Sequence, residues 1–100
     1  MRTVIETPEF KKQAATIWSE DERLDLISWL AANPTAGTII PGTGGARKLR
    51  WQVSGRGKRG GARVIYFIPD GDTLWLIAAY TKNRQENMPV NAIKEMKDGH

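Results

Sequence analysis

The stretch that decides the fold is ARKLRWQVSGRGKRGGARVIYFIPDGDTLWLIAAY, residues 46–80. Residues 46–53 alternate between cationic or polar and apolar side chains, which is typical of a strand with one buried face. Residues 62–68 and 73–80 are more continuously apolar, as expected for central strands. The dipeptide Asp70-Gly71 between them is a hairpin signal. The stretch therefore predicts three consecutive antiparallel strands, the first two joined by a basic, glycine-rich loop.

The alternation in the first of these strands separates its two faces. Leu49, Trp51 and Val53 share one face, and Lys48 and Arg50 share the other. We expect the apolar face to pack on the core and the cationic face to remain accessible.

The chain before this stretch predicts a short strand and two helices. Residues 2–6 (RTVIE) have the composition of a strand, and Thr7 followed by Pro8 is a helix-start signal, with threonine as N-cap and proline at the first helical position. Ser19 and Glu22 have the spacing of a capping box.

The second helix carries an apolar stripe and a stop signal. Leu24, Ile27, Leu30 and Ala31 recur at helical spacing, so we expect them to pack on the core. Asn33-Pro34 ends the helix. The predicted fold class is α+β, with two N-terminal helices packed on a twisted antiparallel sheet of about four strands. Residues 88–100 are compatible with a short C-terminal helix.

Composition limits the functional classes. One hundred residues with 40% apolar content predict a single domain spanning residues 1–100. The chain has no cysteine and a single histidine, His100, so we expect neither disulfides nor a metal site. The N-terminus lacks a signal-peptide pattern, and the longest apolar run, LWLIAAY, is too short to cross a membrane. We therefore expect a soluble cytoplasmic protein without membrane contact.

Charge is segregated along the chain. No carboxylate occurs between Asp25 and Asp70. This interval carries seven of the fifteen basic residues, namely Arg47, Lys48, Arg50, Arg56, Lys58, Arg59 and Arg63. A basic block of this kind is typical of a protein that binds a polyanion, so we expect a nucleic-acid partner. The alternative is a merely solvated basic hairpin. Neither of the two glycine-rich segments, PGTGGARK (41–48) and GRGKRGG (55–61), has the spacing of a phosphate-binding loop, so no nucleotide cofactor is expected.

Three segments, in this order and at these separations, carry a family resemblance: GTGGARKLR (42–50), GKRGGARVIY (57–66) and YTKN (80–83). Together they resemble the RelE/HigB superfamily of bacterial type II toxin-antitoxin toxins, in particular its HigB-type branch. The resemblance runs from the first strand to about residue 84. It implies a compact ribonuclease that cleaves mRNA in the ribosomal A site, contacts ribosomal RNA, and is neutralised by a cognate antitoxin of the helix-turn-helix DNA-binding type.

The resemblance also implies site residues. Lys48 and Arg50 match a basic pair on the family's second strand, Arg63 matches an arginine at the start of the third, and Lys82 matches a basic residue after the last strand. Arg84 is the alternative to Lys82 if that loop is shifted. The predicted catalytic set is thus Lys48, Arg50, Arg63 and Lys82. The predicted RNA-binding set follows from the basic block and not from matched family positions, and it comprises Arg47, Arg56, Lys58 and Arg59, together with Arg84 from the loop after the last strand.

RNA cleavage without a metal requires a base for the 2′-hydroxyl proton, charge stabilisation on the phosphate and assistance to the leaving oxygen. No histidine pair is present to do this, so cations must serve. Neighbouring positive charges favour the neutral form of a lysine. We therefore expect Lys48 to act as base or proton shuttle, Arg63 to bind the phosphate, Arg50 to support it and Lys82 or Arg84 to lie near the leaving group.

Aromatic residues leave alternatives open. Members of the superfamily carry an aromatic residue in the C-terminal helix, and residues 88–100 have none. Tyr80 could replace it, although a packed strand aromatic is the favoured interpretation. Among the tryptophans, core positions are expected for Trp51 and Trp75, and Trp18 and Trp29 could be either core or an antitoxin-binding surface. The alternative function is a non-catalytic RNA- or DNA-binding module that acts by occupancy.

Overall fold

The computed structural model of the protein describes residues 3–51, 61–81 and 89–98. The elements in chain order are β1 (Thr3–Glu6), α1 (Pro8–Ile17), α2 (Glu20–Ala32), β2 (Thr38–Ile39), β3 (Arg47–Trp51), β4 (Ala62–Phe67), β5 (Thr73–Thr81) and α3 (Val90–Asp98). The α+β class, the two N-terminal helices and the C-terminal helix agree with the sequence-based expectation. Within these ranges no helix is long and apolar enough to cross a membrane.

The sheet differs from the prediction in two respects. Over the described residues it has five strands, not four, in the order β1-β5-β4-β3-β2, and it is mixed because β1 runs parallel to β5. The extra strand, β2, has two residues and lies between Pro34 and Ala46, in a segment for which the sequence patterns above predict no strand. The direction of β1 was not predictable from hairpin signals, because its partner β5 is the last strand in the chain.

Helix-capping signals are confirmed. The Thr7 side chain accepts a hydrogen bond from the Phe10 backbone N–H at 3.2 Å, and Pro8 begins α1. At the start of α2, Ser19 and Glu22 form a reciprocal capping box. Satisfying these N–H groups stabilises each helix by about 1 kcal/mol per cap.

The two faces of the sheet are covered by different helices. On one face, which we call the helix-pair face, Phe10 of α1 and Leu26 and Leu30 of α2 pack with strand residues such as Val64 and Leu76. On the opposite face, the α3 face, the apolar cluster consists of Ala46, Ile65, Phe67, Ile77, Ala78, Tyr80 and Ile93. Because both faces are covered, all six residues of β4 are buried.

The apolar stripe predicted for α2 is wrong at one position. Leu24 is 47% exposed, whereas Leu26, which was not in the stripe, is fully buried. The helix is rotated so that Leu26 and Leu30, one turn apart, face the sheet, and Leu24 lies about 200° around the helix from Leu26. Leu30 and Ala31 are buried as expected.

The tryptophans divide between core and surface. Trp51 and Trp75, for which core positions are expected, are half-buried, with Trp51 packed against the cluster on the helix-pair face and Trp75 against the cluster on the α3 face. Of the two undecided residues, Trp18 is buried and Trp29 is 39% exposed. The Trp29 ring contacts that of Trp51, with centroids 5.3 Å apart.

The connection between α2 and β2 is held by two side chains of the central strands. The hydroxyl of Tyr66 accepts a hydrogen bond from the Gly37 N–H and donates one to the Pro34 carbonyl, both at 2.8 Å. Arg47 donates from Nη1 to the carbonyls of Gly37 at 2.8 Å and Thr35 at 3.3 Å. We call Arg47 and Tyr66, with these four hydrogen bonds to residues 34–37, the Arg47–Tyr66 clamp.

Ionisation of Tyr66 lowers the free energy of unfolding at alkaline pH. Burial raises the pKa of Tyr66, against the opposing effects of the Gly37 hydrogen bond and the Arg47 charge. Because the folded-state pKa exceeds the unfolded value of about 10, the contribution of Tyr66 is fully present below pH about 10 and is lost as pH rises through the folded-state value. Urea unfolding across this range should show wild-type stability falling toward that of Tyr66→Phe, which itself lacks this titration. Parallel curves for the two proteins would contradict the assignment.

Candidate functional site

Register brings two of the predicted catalytic arginines side by side. Arg50 of β3 pairs directly with Arg63 of β4, and Arg63 pairs with Tyr80 of β5. Residues directly opposite in antiparallel strands lie on the same face, with Cβ atoms about 4.5–5.5 Å apart. These three side chains therefore form a continuous row across the α3 face.

Lys48 lies on the same face, in the adjacent row of cross-strand pairs. It pairs with Ile65, which in turn pairs with Ala78, and both belong to the apolar cluster beneath α3. On one face of a strand, Lys48 and Arg50 are separated by about 6.8 Å. Lys48, Arg50 and Arg63 thus form one cationic group on this face. We call these three residues the cationic row, although they belong to two adjacent cross-strand rows.

The cationic row combines different degrees of exposure. Arg50 is exposed, Lys48 is half-buried and Arg63 is only 8% exposed. Arg50 is thus directly accessible to a polyanion, whereas Arg63 presents only a small part of its side chain at the surface.

Arg63 is a buried cation without a carboxylate partner in the described part of the chain. Its one hydrogen bond there runs from Nη1 to the Gly61 carbonyl at 3.3 Å. The ion pairs found in residues 3–51, 61–81 and 89–98 are Arg23 with Glu6 and Lys97 with Asp98. Burying a charge is costly unless it is paired. An anion bound at the cationic row would therefore gain interaction with a guanidinium that no described carboxylate neutralises.

A β-bulge gives Tyr80 its position. The register passes from Tyr66↔Leu76 to Ile65↔Ala78, so Ile77 is an extra residue in β5. Consequently Ile77 and Ala78 both face α3, and the side-chain alternation is reversed beyond them. Strict alternation from Leu76 would have placed Tyr80 on the helix-pair face, away from Arg63.

The bulge is supported from outside the sheet. Thr7 Oγ1 donates to the carbonyls of Leu76 at 2.9 Å and Ile77 at 3.2 Å. Further along β5, the N–H of Ala79 donates to Gln13 Oε1 at 2.8 Å. The N-cap of α1 and a side chain in the middle of this helix therefore hydrogen-bond to the backbone of β5 at and beyond the point where the pairing of β5 with β1 ends. Sequence analysis identified Thr7 only as a helix cap and gave no signal for Gln13.

Of the remaining predicted residues, the structure describes only Arg47, which is not part of this group. Arg47 pairs with Tyr66 and lies on the helix-pair face, opposite Lys48 and Arg50. The others lie outside the described residues: Lys82 of the catalytic set, and Arg56, Lys58, Arg59 and Arg84 of the RNA-binding set.

The arrangement suits charge stabilisation at a phosphate. Arginine presents a rigid fork of N–H donors that matches phosphate oxygens, and lysine presents a point charge that can also transfer a proton. Among residues 3–51, 61–81 and 89–98, no group of three or more histidine, cysteine or carboxylate side chains could hold a metal ion. No protein-family model matches the chain.

Proposed function

We propose that the protein is a ribosome-dependent endoribonuclease, the toxin of a toxin-antitoxin system, which inhibits translation by cleaving mRNA. The observation that carries the proposal is the direct pairing of Arg50 with Arg63, with Lys48 on the same face. The sequence resemblance described above to the RelE/HigB superfamily supports it. The substrate is mRNA held on the ribosome, ribosomal RNA contacts the basic surface, and the site of action is the cytoplasm.

In this mechanism the scissile phosphate lies over Arg63, with Arg50 beside it. Fixed donors aimed at the charge that develops in the transition state need no reorganisation during the reaction. Lys48 removes the proton from the 2′-hydroxyl, which then attacks the adjacent phosphorus, and the 5′-oxygen leaves with assistance from a further cation, Lys82 or Arg84. The cognate antitoxin is a separate helix-turn-helix DNA-binding protein.

The test is primer extension on a defined mRNA incubated with purified protein, with and without translating ribosomes. We expect cuts at in-frame positions only in the presence of ribosomes. Cuts in naked RNA would instead indicate a free ribonuclease. RNA or ribosome binding without cuts would favour a non-catalytic module that acts by occupancy, and absence of both binding and cleavage would refute the proposal.

A further inference from the structure

We infer that Arg47 is a positioning residue, which acts through Lys48 and Arg50 by holding β3 against residues 34–37 and does not itself contact RNA. This inference rests on the proposed function, because the residues that Arg47 positions are the proposed catalytic cations. It changes the role of Arg47, which the charge pattern alone assigns to RNA binding.

The Arg47 side chain lies on the face of the sheet opposite the cationic row. Arg47 pairs with Tyr66 on β4 and with Ile39 on β2, and Tyr66 belongs to the apolar cluster on the helix-pair face. Lys48 and Arg50 lie on the opposite face. A phosphate bound at the cationic row is therefore separated from the Arg47 guanidinium by the sheet itself.

The Arg47 guanidinium already has hydrogen-bond partners. It donates to the carbonyls of Gly37 and Thr35, at 2.8 Å and 3.3 Å. The positive charge lies close enough to Tyr66 to lower the pKa of that hydroxyl, against the larger effect of burial. An arginine held in this way would have to give up backbone hydrogen bonds before it could bind a phosphate.

The segment held by the Arg47–Tyr66 clamp contacts the backbone of Lys48. Gly37 lies so close to β3 that a Cβ atom built on it would be 3.1 Å from the Lys48 carbonyl oxygen and 2.8 Å from the Tyr66 hydroxyl. Residue 37 therefore packs directly on the peptide group of Lys48. Arg47, by fixing the Gly37 carbonyl, fixes the strand segment that carries Lys48 and, two residues later, Arg50.

The test separates the charge of Arg47 from its hydrogen bonds. Binding of a short single-stranded RNA oligonucleotide is measured against salt concentration for Arg47→Gln, with Lys48→Gln and Arg50→Gln as matched charge removals. Each phosphate contact contributes about 0.7 to the slope of log K against log salt for single strands. We expect the slope to fall by about 0.7 for Lys48→Gln and Arg50→Gln and to remain at the wild-type value for Arg47→Gln.

Cleavage provides the second readout. With ribosome-bound mRNA, Arg47→Gln should lower kcat by about 10- to 100-fold, as expected for misplaced catalytic groups, and leave KM unchanged. Tyr66→Phe removes the other half of the clamp without removing a charge, and should reproduce the same loss of kcat at an unchanged salt slope. In Arg47→Gln, Tyr66 should also titrate at higher pH, because the neighbouring positive charge is gone.

A fall of about 0.7 in the slope for Arg47→Gln would overturn the inference while leaving the proposed function standing. Lack of RNA binding and cleavage by the wild-type protein would instead mark failure of the proposed function. In that case the clamp is still tested by the Tyr66 titration and by the backbone amide resonances of Gly37 and Lys48 in Arg47→Gln. Unmoved resonances and an unmoved titration would overturn it.

Discussion

Replacement of Arg63 by alanine is expected to reduce mRNA cleavage by at least about 10²- to 10³-fold, the usual effect of removing one donor that stabilises transition-state charge. Arg63 of β4 lies between its cross-strand neighbours Arg50 and Tyr80, and it is the most buried of the three cations of the cationic row. Single-turnover cleavage of ribosome-bound mRNA measures the effect.

The fold should survive this substitution. Within the described residues Arg63 makes one long hydrogen bond, to Gly61, and no ion pair, so removing it takes a costly buried charge out of the sheet. We expect the circular dichroism spectrum to be unchanged and Tm to be equal or higher.

Two further variants separate the effect of the Arg63 guanidinium from that of its charge and from that of removing any arginine. Arg63→Lys keeps the charge but loses the forked donor geometry, so it should remain strongly impaired. Arg23→Ala removes a partly buried arginine whose partner is Glu6, outside the cationic row, and should leave cleavage close to wild type. An active Arg63→Ala protein would refute the assignment of Arg63 as phosphate ligand.

Sequence reasoning succeeded where the signal is local. The Thr7-Pro8 start, the Ser19 and Glu22 capping box and the Asp70-Gly71 turn depend on a few neighbouring residues, and all three are found. In the turn, Gly71 has φ of 86°, and Asp70 Oδ1 accepts hydrogen bonds from the N–H groups of Asp72 and Thr73. The alternation in β3 likewise separated Lys48 and Arg50 from Leu49.

The site required information that local patterns lack. The bulge at Ile77 lies within a continuous apolar run, where neither a glycine nor a break in hydropathy marks it, and it decides on which face Tyr80 lies. For Arg47 the local pattern was sufficient, because the alternation in β3 already places its side chain on the same face as Leu49. Counting charges along the chain put it in the RNA-binding set because a count does not distinguish the two faces of a strand.

Replacement of Thr7 by valine is expected to cost about 2–4 kcal/mol of unfolding free energy, which is large against the 5–15 kcal/mol typical of a domain. Thr7 is 1% exposed, and its hydroxyl accepts from Phe10 N–H and donates to the carbonyls of Leu76 and Ile77. Valine has nearly the same shape but removes both functions. Loss of the cap costs about 1 kcal/mol and each buried group left unsatisfied costs about 1–3 kcal/mol.

The matched control is Thr7→Ser, which keeps the hydroxyl and should stay within about 1 kcal/mol of wild type, the approximate cost of one buried methyl group. Urea unfolding monitored by circular dichroism compares the two variants. Equal stability of Thr7→Val and Thr7→Ser would mean that the hydroxyl contributes nothing to the fold.

The same substitution links stability to the site. Ile77 is the extra residue of the bulge, and its carbonyl is the one that Thr7 holds at 3.2 Å. Without that hydrogen bond the backbone at the bulge is held less firmly. The segment of β5 beyond the bulge leads to Tyr80, which is the cross-strand neighbour of Arg63. Thr7→Val should therefore lower kcat for cleavage even at temperatures where the protein remains folded, whereas Thr7→Ser should not, because only the serine hydroxyl can still hold the bulge.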